Sequence, residues 1–328
     1  MSILSFCLRA MAAFIAVLAL FTNSSRLHAH GFEGDRFFPP TISTDDPFAT
    51  DEYSIGVSTF NNPAAPDGSS PKTREIDISS EFDKEIFPKF ALGVSGTYIN
   101  LQPQAHQGPT QDGFDNVSFS AKYQLLEDPT HEFLFSLGGE IDVGNTGSNK
   151  LGVDYFSTYT PTIYFGKGFG DLPDAVKYLK PLALTGTLGL SIPGETSNAD
   201  GSLNPDALQW GLALEYSIPY LQQHVEDVGI PHPFADLIPV VECTMNSPID
   251  RYGGTTTGTI DPGILWEGKY VQVGAEALIP VNKTTGPNVG AVLQVQIFID
   301  DIFPKIFGHP VFFNDDNDNH NSSTDSDK

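Results

Sequence analysis

From Tyr53 onward the chain alternates apolar and polar residues over stretches of about ten, each closed by Gly, Pro, Asn or Asp. A period of two is the mark of a β-strand whose two faces meet different surroundings. In 289–300, Ala291, Leu293, Val295, Ile297 and Ile299 share one face, and Gln294, Gln296 and Asp300 the other. Likewise Phe133, Phe135, Leu137 and Ile141 oppose Glu132, Ser136 and Glu140, while Leu208, Trp210, Leu212, Leu214 and Tyr216 oppose Gln209 and Glu215. A slip of one residue would turn every apolar group to the wrong side, so register is strongly specified. The pattern predicts twelve strands, near 53–60, 73–83, 90–101, 114–125, 132–143, 155–167, 182–192, 206–217, 237–246, 254–266, 269–280 and 289–300.

The junctions between these strands are of two kinds. Odd-numbered junctions are long and polar (61–72, 102–113, 144–154, 193–205, 247–253, 281–288). Even-numbered junctions are tight, as at Phe87-Pro88-Lys89 and Glu267-Gly268, or carry short helical stretches such as Leu172 to Leu179 and Tyr220 to Phe234. Two unlike ends and an even strand count predict an all-β fold: a transmembrane antiparallel up-and-down β-barrel of about twelve strands with both termini periplasmic. A soluble periplasmic β-protein that binds a ligand or partner is the alternative, since sandwiches also alternate. Strand length favours the membrane: about ten residues matches the ~9–11 that cross a bilayer at a tilt and exceeds the ~5–6 usual in soluble sheets. Aromatic residues at strand ends, such as Phe90, Tyr98, Tyr155, Phe165, Trp266 and Tyr270, suit the two interfacial girdles of such a barrel.

Charge gives the inner face its character. The chain holds 41 Asp+Glu against 17 Lys+Arg, a formal net charge of −24, which excludes a nucleic-acid footprint. If the apolar rows face lipid, then Asp77, Glu81, Glu132, Glu140, Asp142, Glu215, Glu242, Asp261 and Glu276 face a lumen in which Lys122 is almost the only counter-charge on a strand. Acidic rings in a low-dielectric wall focus negative potential and prefer cations. The same acids also suit a merely solvated bore. Twelve strands make a narrow barrel, hence a small or gated channel.

Residues 1–29 read as a cleaved secretory signal peptide: Arg9, an apolar run from Ala10 to Phe21, and a small residue, Ala29, at the cleavage point. That run is too short to span a bilayer. A mature chain starting at His30 would retain Cys243 as its one thiol. Residues 30–52 form an N-terminal periplasmic segment, with Phe37-Phe38-Pro39-Pro40 suited to plug or line the barrel mouth, and 53–313 the barrel with a C-terminal extension. Residues 314–328, rich in Asn, Asp and Ser, read as a disordered acidic tail.

On the last strand, Asn288, Gly290, Leu293 and Val295 match the polar-x-Gly-x-x-apolar-x-apolar pattern that resembles the assembly signal of Gram-negative outer-membrane proteins. About thirty residues follow Phe298, where such proteins typically end on an aromatic. Two further segments, His30-Gly31-Phe32-Glu33-Gly34-Asp35-Arg36-Phe37-Phe38-Pro39-Pro40 with Thr44-Asp45-Asp46-Pro47-Phe48, and Phe298-Ile299-Asp300-Asp301-Ile302-Phe303-Pro304, resemble an uncharacterised proteobacterial outer-membrane β-barrel family. That family is loosely similar to the transporter-like barrels associated with phenol-degradation pathways. The resemblance implies passage of small molecules and supplies no binding residues.

Chemistry beyond this is sparse. No G-x-S-x-G elbow and no H-E-x-x-H occurs, and the histidines, His30 included, form no metal-spaced pair, so neither enzyme nor cofactor nor metal site is expected. An outer-membrane lipid or ester hydrolase is the lesser alternative, with His131 as its one strand-borne base. The sequence therefore predicts an exported outer-membrane channel or transporter for small solutes, partnered by outer-membrane lipid, the assembly machinery and a small-molecule solute.

Overall fold

The computed structural model describes residues 39–64, 71–104, 108–198, 201–250 and 253–312. The leader at 1–29, His30 and the tail at 314–328 lie outside these residues. Thirteen strands follow in chain order: β1 (Glu52–Asn62), β2 (Thr73–Phe87), β3 (Phe90–Pro103), β4 (Gln111–Phe114), β5 (Val117–Asp128), β6 (Phe133–Val143) and β7 (Thr158–Gly168). The second half comprises β8 (Leu182–Pro193), β9 (Ala207–Tyr216), β10 (Leu237–Pro248), β11 (Thr257–Glu267), β12 (Val271–Pro280) and β13 (Gly290–Phe298). Each wall strand pairs antiparallel with its sequence neighbours, and β1 pairs with β13 from Glu52↔Phe298 to Thr59↔Ala291. That last ladder closes a twelve-strand barrel and leaves no sheet edge. The short β4 continues β5 beyond a break at Asp115-Asn116 and pairs with the upper part of β3.

The burial pattern is inverted relative to a soluble protein. Leu92, Val94, Phe119, Leu137, Tyr159, Ile163, Leu188, Leu212, Val241, Ile260, Ile264 and Ile279 stand more than a third exposed around the outside. Inside, Ser136, Thr185, Glu215, Glu242, Asp261, Gln272, Glu276 and Gln296 are buried. A continuous apolar belt of this extent would be insoluble in water and matches the lipid-facing band of an outer-membrane barrel, so a soluble β-protein is disfavoured.

The two ends of the described chain, Pro40 beside Gln272 and Phe312 beside Ile86, lie toward the end of the barrel that carries the short connections. At this short-turn end, Gly268 closes the β11–β12 turn by donating its N–H to Val271 O (2.9 Å). Lys89, at φ 67°, makes the β2–β3 turn. The predicted helical stretches form a 3₁₀ segment at Asp174–Leu179 and helical turns over Ile218–Tyr220 and Leu221–Val225. The C-terminal extension docks on β2: Val311 and Phe312 donate N–H groups to Glu85 O and Ile86 O, and Phe312 stacks on Phe87 at 5.3 Å.

Several boundaries depart from the periodicity. Strand β6 begins at Phe133, because Glu132 takes a left-handed conformation (φ 50°) to complete the turn from Pro129, and His131 lies in that turn as well. Strand β7 begins at Thr158 rather than 155, since Tyr155 and the buried Phe156 belong to the long loop before it. Strand β13 ends at Phe298; Ile299 and Asp300 open a helical turn, Ile299–Ile302, and leave the alternating rows.

Candidate functional site

The bore is the candidate site, and its most consequential occupant is the chain's own residues 39–51. Pro39, Pro40 and Pro47 offer no N–H, which lowers the number of backbone donors that an extended segment must satisfy inside a barrel. The remaining polar groups are met by wall residues. Ile42 N–H donates to Glu242 Oε1 (2.7 Å), and the N–H groups of Ser43 and Thr44 donate to Glu242 Oε2 (3.1 and 2.5 Å). Consecutive N–H groups converging on one carboxylate form an anion nest, here with the anion supplied by the wall. Ser43 Oγ donates to Glu276 Oε2 (2.8 Å), and Gln272 Nε2 donates to Pro40 O (2.6 Å).

The segment crosses from the β10–β12 wall to the opposite side. Ser136 on β6 donates to Pro47 O (2.5 Å), and Ala49 N–H donates to Gln124 Oε1 on β5 (2.9 Å). Lys122 reaches both Asp45 Oδ1 and Asp46 O at 2.8 Å. Asp51 pairs with Lys84 and accepts the Glu85 N–H (2.5 Å). Apolar contacts supplement these: Ile42 packs on Ala213, Ile238, Val240 and Leu265, and Phe48 on Leu134 and Ala183. Glycines make the room. A Cβ on Gly274 would lie 2.4 Å from Ile42 Cδ1, and one on Gly211 would lie 3.0 Å from Thr44. The segment set apart by sequence as periplasmic thus has its described part seated in the barrel.

Burial acts on the segment's own titratable groups. Asp46 is pushed from 3.8 up to about 7, first by burial, with Lys122 opposing and Glu52 and Asp45 adding to the rise. Burial also raises Asp51, against the pull of Lys84.

Of the sequence-derived residues, the ladder register places Asp77, Glu81, Lys122, Glu140, Asp142, Glu215, Glu242, Asp261 and Glu276 on the inward face. Glu132 departs from this: it sits in the β5–β6 turn, where it accepts the Gly170 N–H (2.6 Å) and the Tyr220 hydroxyl (3.4 Å). Glu215, Glu242, Asp261 and Glu276 cluster on β9–β12, next to the segment. Glu81 and Lys122 stand across from them. Glu52, Glu75, Asp83 and Glu267 join them on the inward face by the same register; Glu75 and Asp83 share the parity of Asp77 and Glu81, so alternation alone assigns them. His131 pairs with Asp128 (2.8 Å) in an exposed turn, which gives it no role as a strand-borne base. Among the described residues, no group of three or more His, Cys, Asp or Glu is disposed to hold a metal ion. Asn288 precedes β13, Gly290 opens it close against Thr59 O, and Leu293 and Val295 lie on its outward face.

Toward the long-loop end the segment floors a vestibule of about 690 Å³ that reaches from β2 to β9–β11. Ser43 forms part of the floor, Glu75 and Asp77 one wall, and Gln209, Thr244, Asn246 and Thr259 the other. A smaller polar cavity of about 180 Å³ lies among Asp115, Asn116, Asp142 and Asp154.

No protein-family model matches the chain, and no curated protein matches it. Solved structures do. An outer membrane channel from Pseudomonas putida F1 superposes with TM-score 0.52 over 79% of this chain and 99% of its own, at 11% identity. The NanC porin (TM-score 0.44, 8% identity, 75% of this chain and 98% of its own) and the KdgM porin (0.40, 11%, 74% and 98%) are also similar. At these identities the likeness is one of fold: a closed antiparallel β-barrel.

Proposed function

We propose that this protein is an outer-membrane channel for small solutes, cation-preferring, and closed in this state by its own residues 39–51. The observation that carries the reading is the inward face. Its carboxylates come from β1, β2, β6 and β9–β12, whereas Lys122 is the one basic residue among the described wall strands that points inward, and it is held by Asp45. Such a wall holds cations at raised local concentration and repels anions. The long loops face outward from the cell, the short turns and both chain ends face the periplasm, and the leader at 1–29 is removed on export. Insertion proceeds through the outer-membrane assembly machinery acting on 288–295. Passage of small molecules is also what the resemblance at the two chain ends implies.

Closure follows from the contacts already described. The segment spans the bore between opposite walls, so conduction requires its displacement toward the periplasm or its rearrangement against one wall. Planar-bilayer recording in a KCl gradient tests both parts. The expected result is a low open probability, with a reversal potential of the sign set by K⁺ permeation once open. A reversal potential at zero or on the Cl⁻ side overturns the acidic-bore mechanism. Large, permanently open conductance overturns closure by the segment.

A further inference from the structure

The vestibule has the chemistry of a recognition site rather than of a plain water-filled mouth. Its volume, about 690 Å³, falls within the ~300–1,000 Å³ typical of small-ligand sites and far exceeds what a bare ion needs. The two walls differ. On β2, Glu75 and Asp77 stand one above the other; Asn62 Nδ2 donates to Glu75 and Ser58 Oγ to Asp77 Oδ2 (3.3 Å). Asp77 Oδ1 is buried with no partner. Phe60 stands directly opposite Glu75 in the β1–β2 ladder and lines the same cavity, so an aromatic ring and a carboxylate adjoin.

Four to six strands around the barrel, the facing wall offers, among the described residues, only uncharged donors and acceptors, with Gln209, Thr244, Asn246 and Thr259 chief among them. Among the described residues, the lining includes no Lys, Arg or His. Beneath the floor, Thr259 Oγ1 donates to Asp261 Oδ2 (2.9 Å) and Ser43 to Glu276 Oε2. The second oxygens of these two acids, Asp261 Oδ1 and Glu276 Oε1, have no hydrogen-bond partner although the residues are only 0% and 4% exposed. Unpartnered buried carboxylate oxygens are costly and ask for a donor.

We propose that the vestibule binds a small hydroxylated organic ammonium of the amino-sugar class. The ammonium lies against Glu75, Asp77 and the face of Phe60, where ion pairing and cation–π attraction coincide. The hydroxyls lie on the amide and hydroxyl groups of β9–β11. A sugar acid is rejected because no cation in the lining meets its carboxylate, and a neutral sugar leaves the acidic wall without a partner. This inference names the solute class of the channel proposed above and rests on that reading.

Isothermal titration of the full mature protein in detergent, with no membrane and no current, tests the site independently of conduction. The probes are chitobiose with both amines free, cellobiose as its neutral counterpart, galacturonate, and tetramethylammonium. The diamino-disaccharide is expected to bind at least tenfold more tightly than cellobiose, with galacturonate showing no heat. Asp77→Asn should weaken it about tenfold, and Gln209→Ala severalfold without affecting tetramethylammonium; retained heat-modifiable gel migration certifies folding of each variant. Equal binding of cellobiose, or of tetramethylammonium and the amino sugar, overturns the proposal, as does an unchanged affinity in both variants. If the amino sugar gives no heat while the bilayer current is cation-selective, the site fails and the channel stands. If it binds and no current exists, the channel fails and the site stands.

Discussion

Replacing Glu242 by Gln tests the seating of residues 39–51 with the least change of shape. The carboxylate accepts N–H groups from Ile42 and Ser43 at 2.7 and 3.1 Å and from Thr44 on the same oxygen as Ser43. A hydrogen bond to a charged acceptor is worth about 1.5–3 kcal/mol net, against about 0.5–1.5 for a neutral one. The amide keeps one acceptor oxygen, so at best two bonds survive at neutral strength, and its NH₂ end confronts a third N–H. At the low end of both ranges the summed loss is about 3.5 kcal/mol, which moves the seated-to-released ratio by at least roughly a hundredfold. Relief of repulsion from Asp261 and Glu276 largely cancels, because those acids stay beside position 242 whether or not the segment is seated. Single-channel recording should show the open probability rising by about two decades, with the open-state conductance little changed. Gly274→Leu is the uncharged companion: it fills the space that Ile42 occupies and forfeits roughly 1.5–3 kcal/mol of its burial. Unchanged gating in both variants, or an equal effect of Glu242→Gln in a chain lacking residues 39–48, refutes the seating as the gate.

Two further predictions concern protons and lipid. Because Asp46 is raised to about 7 in the seated segment, the seated state holds a proton more tightly than the released one; its contribution to seating is complete below about 4 and disappears as pH rises through about 7. Open probability should therefore climb between about pH 4 and pH 7 and level off above, and Asp46→Asn should remove that part of the slope; a slope identical in wild type and variant sinks the assignment. Cys243 pairs with Leu212 and Ile260 on the outward face of β10, so in liposomes it should react with a membrane-permeant apolar maleimide and resist a charged, water-soluble one. Rapid reaction with the charged reagent would place β10 the other way round.

The barrel wall was legible because lipid and bore impose a strict period of two on every strand. Parity alone assigns Leu293 and Val295 outward and Glu140, Glu242 and Glu276 inward, and it would also have given Asp83. The failures fall where parity stops applying. Glu132 has the inward parity of Ser136 and Glu140, yet its left-handed φ serves a turn that no alternation encodes. Ile299 and Asp300 extend the β13 pattern by sequence, while the backbone turns helical after Phe298. Tyr155 has the aromatic character of a strand-end girdle residue, yet the loop before Thr158 holds it.

The seat of residues 39–51 was out of reach for a different reason. Its decisive partner, Glu242, lies about 200 positions away, and the bonds run from backbone N–H groups, which every residue but proline possesses and which leave no trace in side-chain pattern. Only Phe37-Phe38-Pro39-Pro40, an extended run suited to plug or line the barrel mouth, hints at the seat in the sequence. The same seat changes what the acids on β9–β12 signify. A charged wall in open water would be an attractor for cations along its whole length, whereas Glu242 is consumed in holding the strap and Glu276 is half consumed by Ser43. On the proposed reading, the acids that select a solute are those facing the vestibule, Glu75 and Asp77, and selection precedes opening. On that reading the solute is tested above the strap before it meets the latch below, so a variant at Asp77 should alter which solute is taken, and a variant at Glu242 how often the path is open.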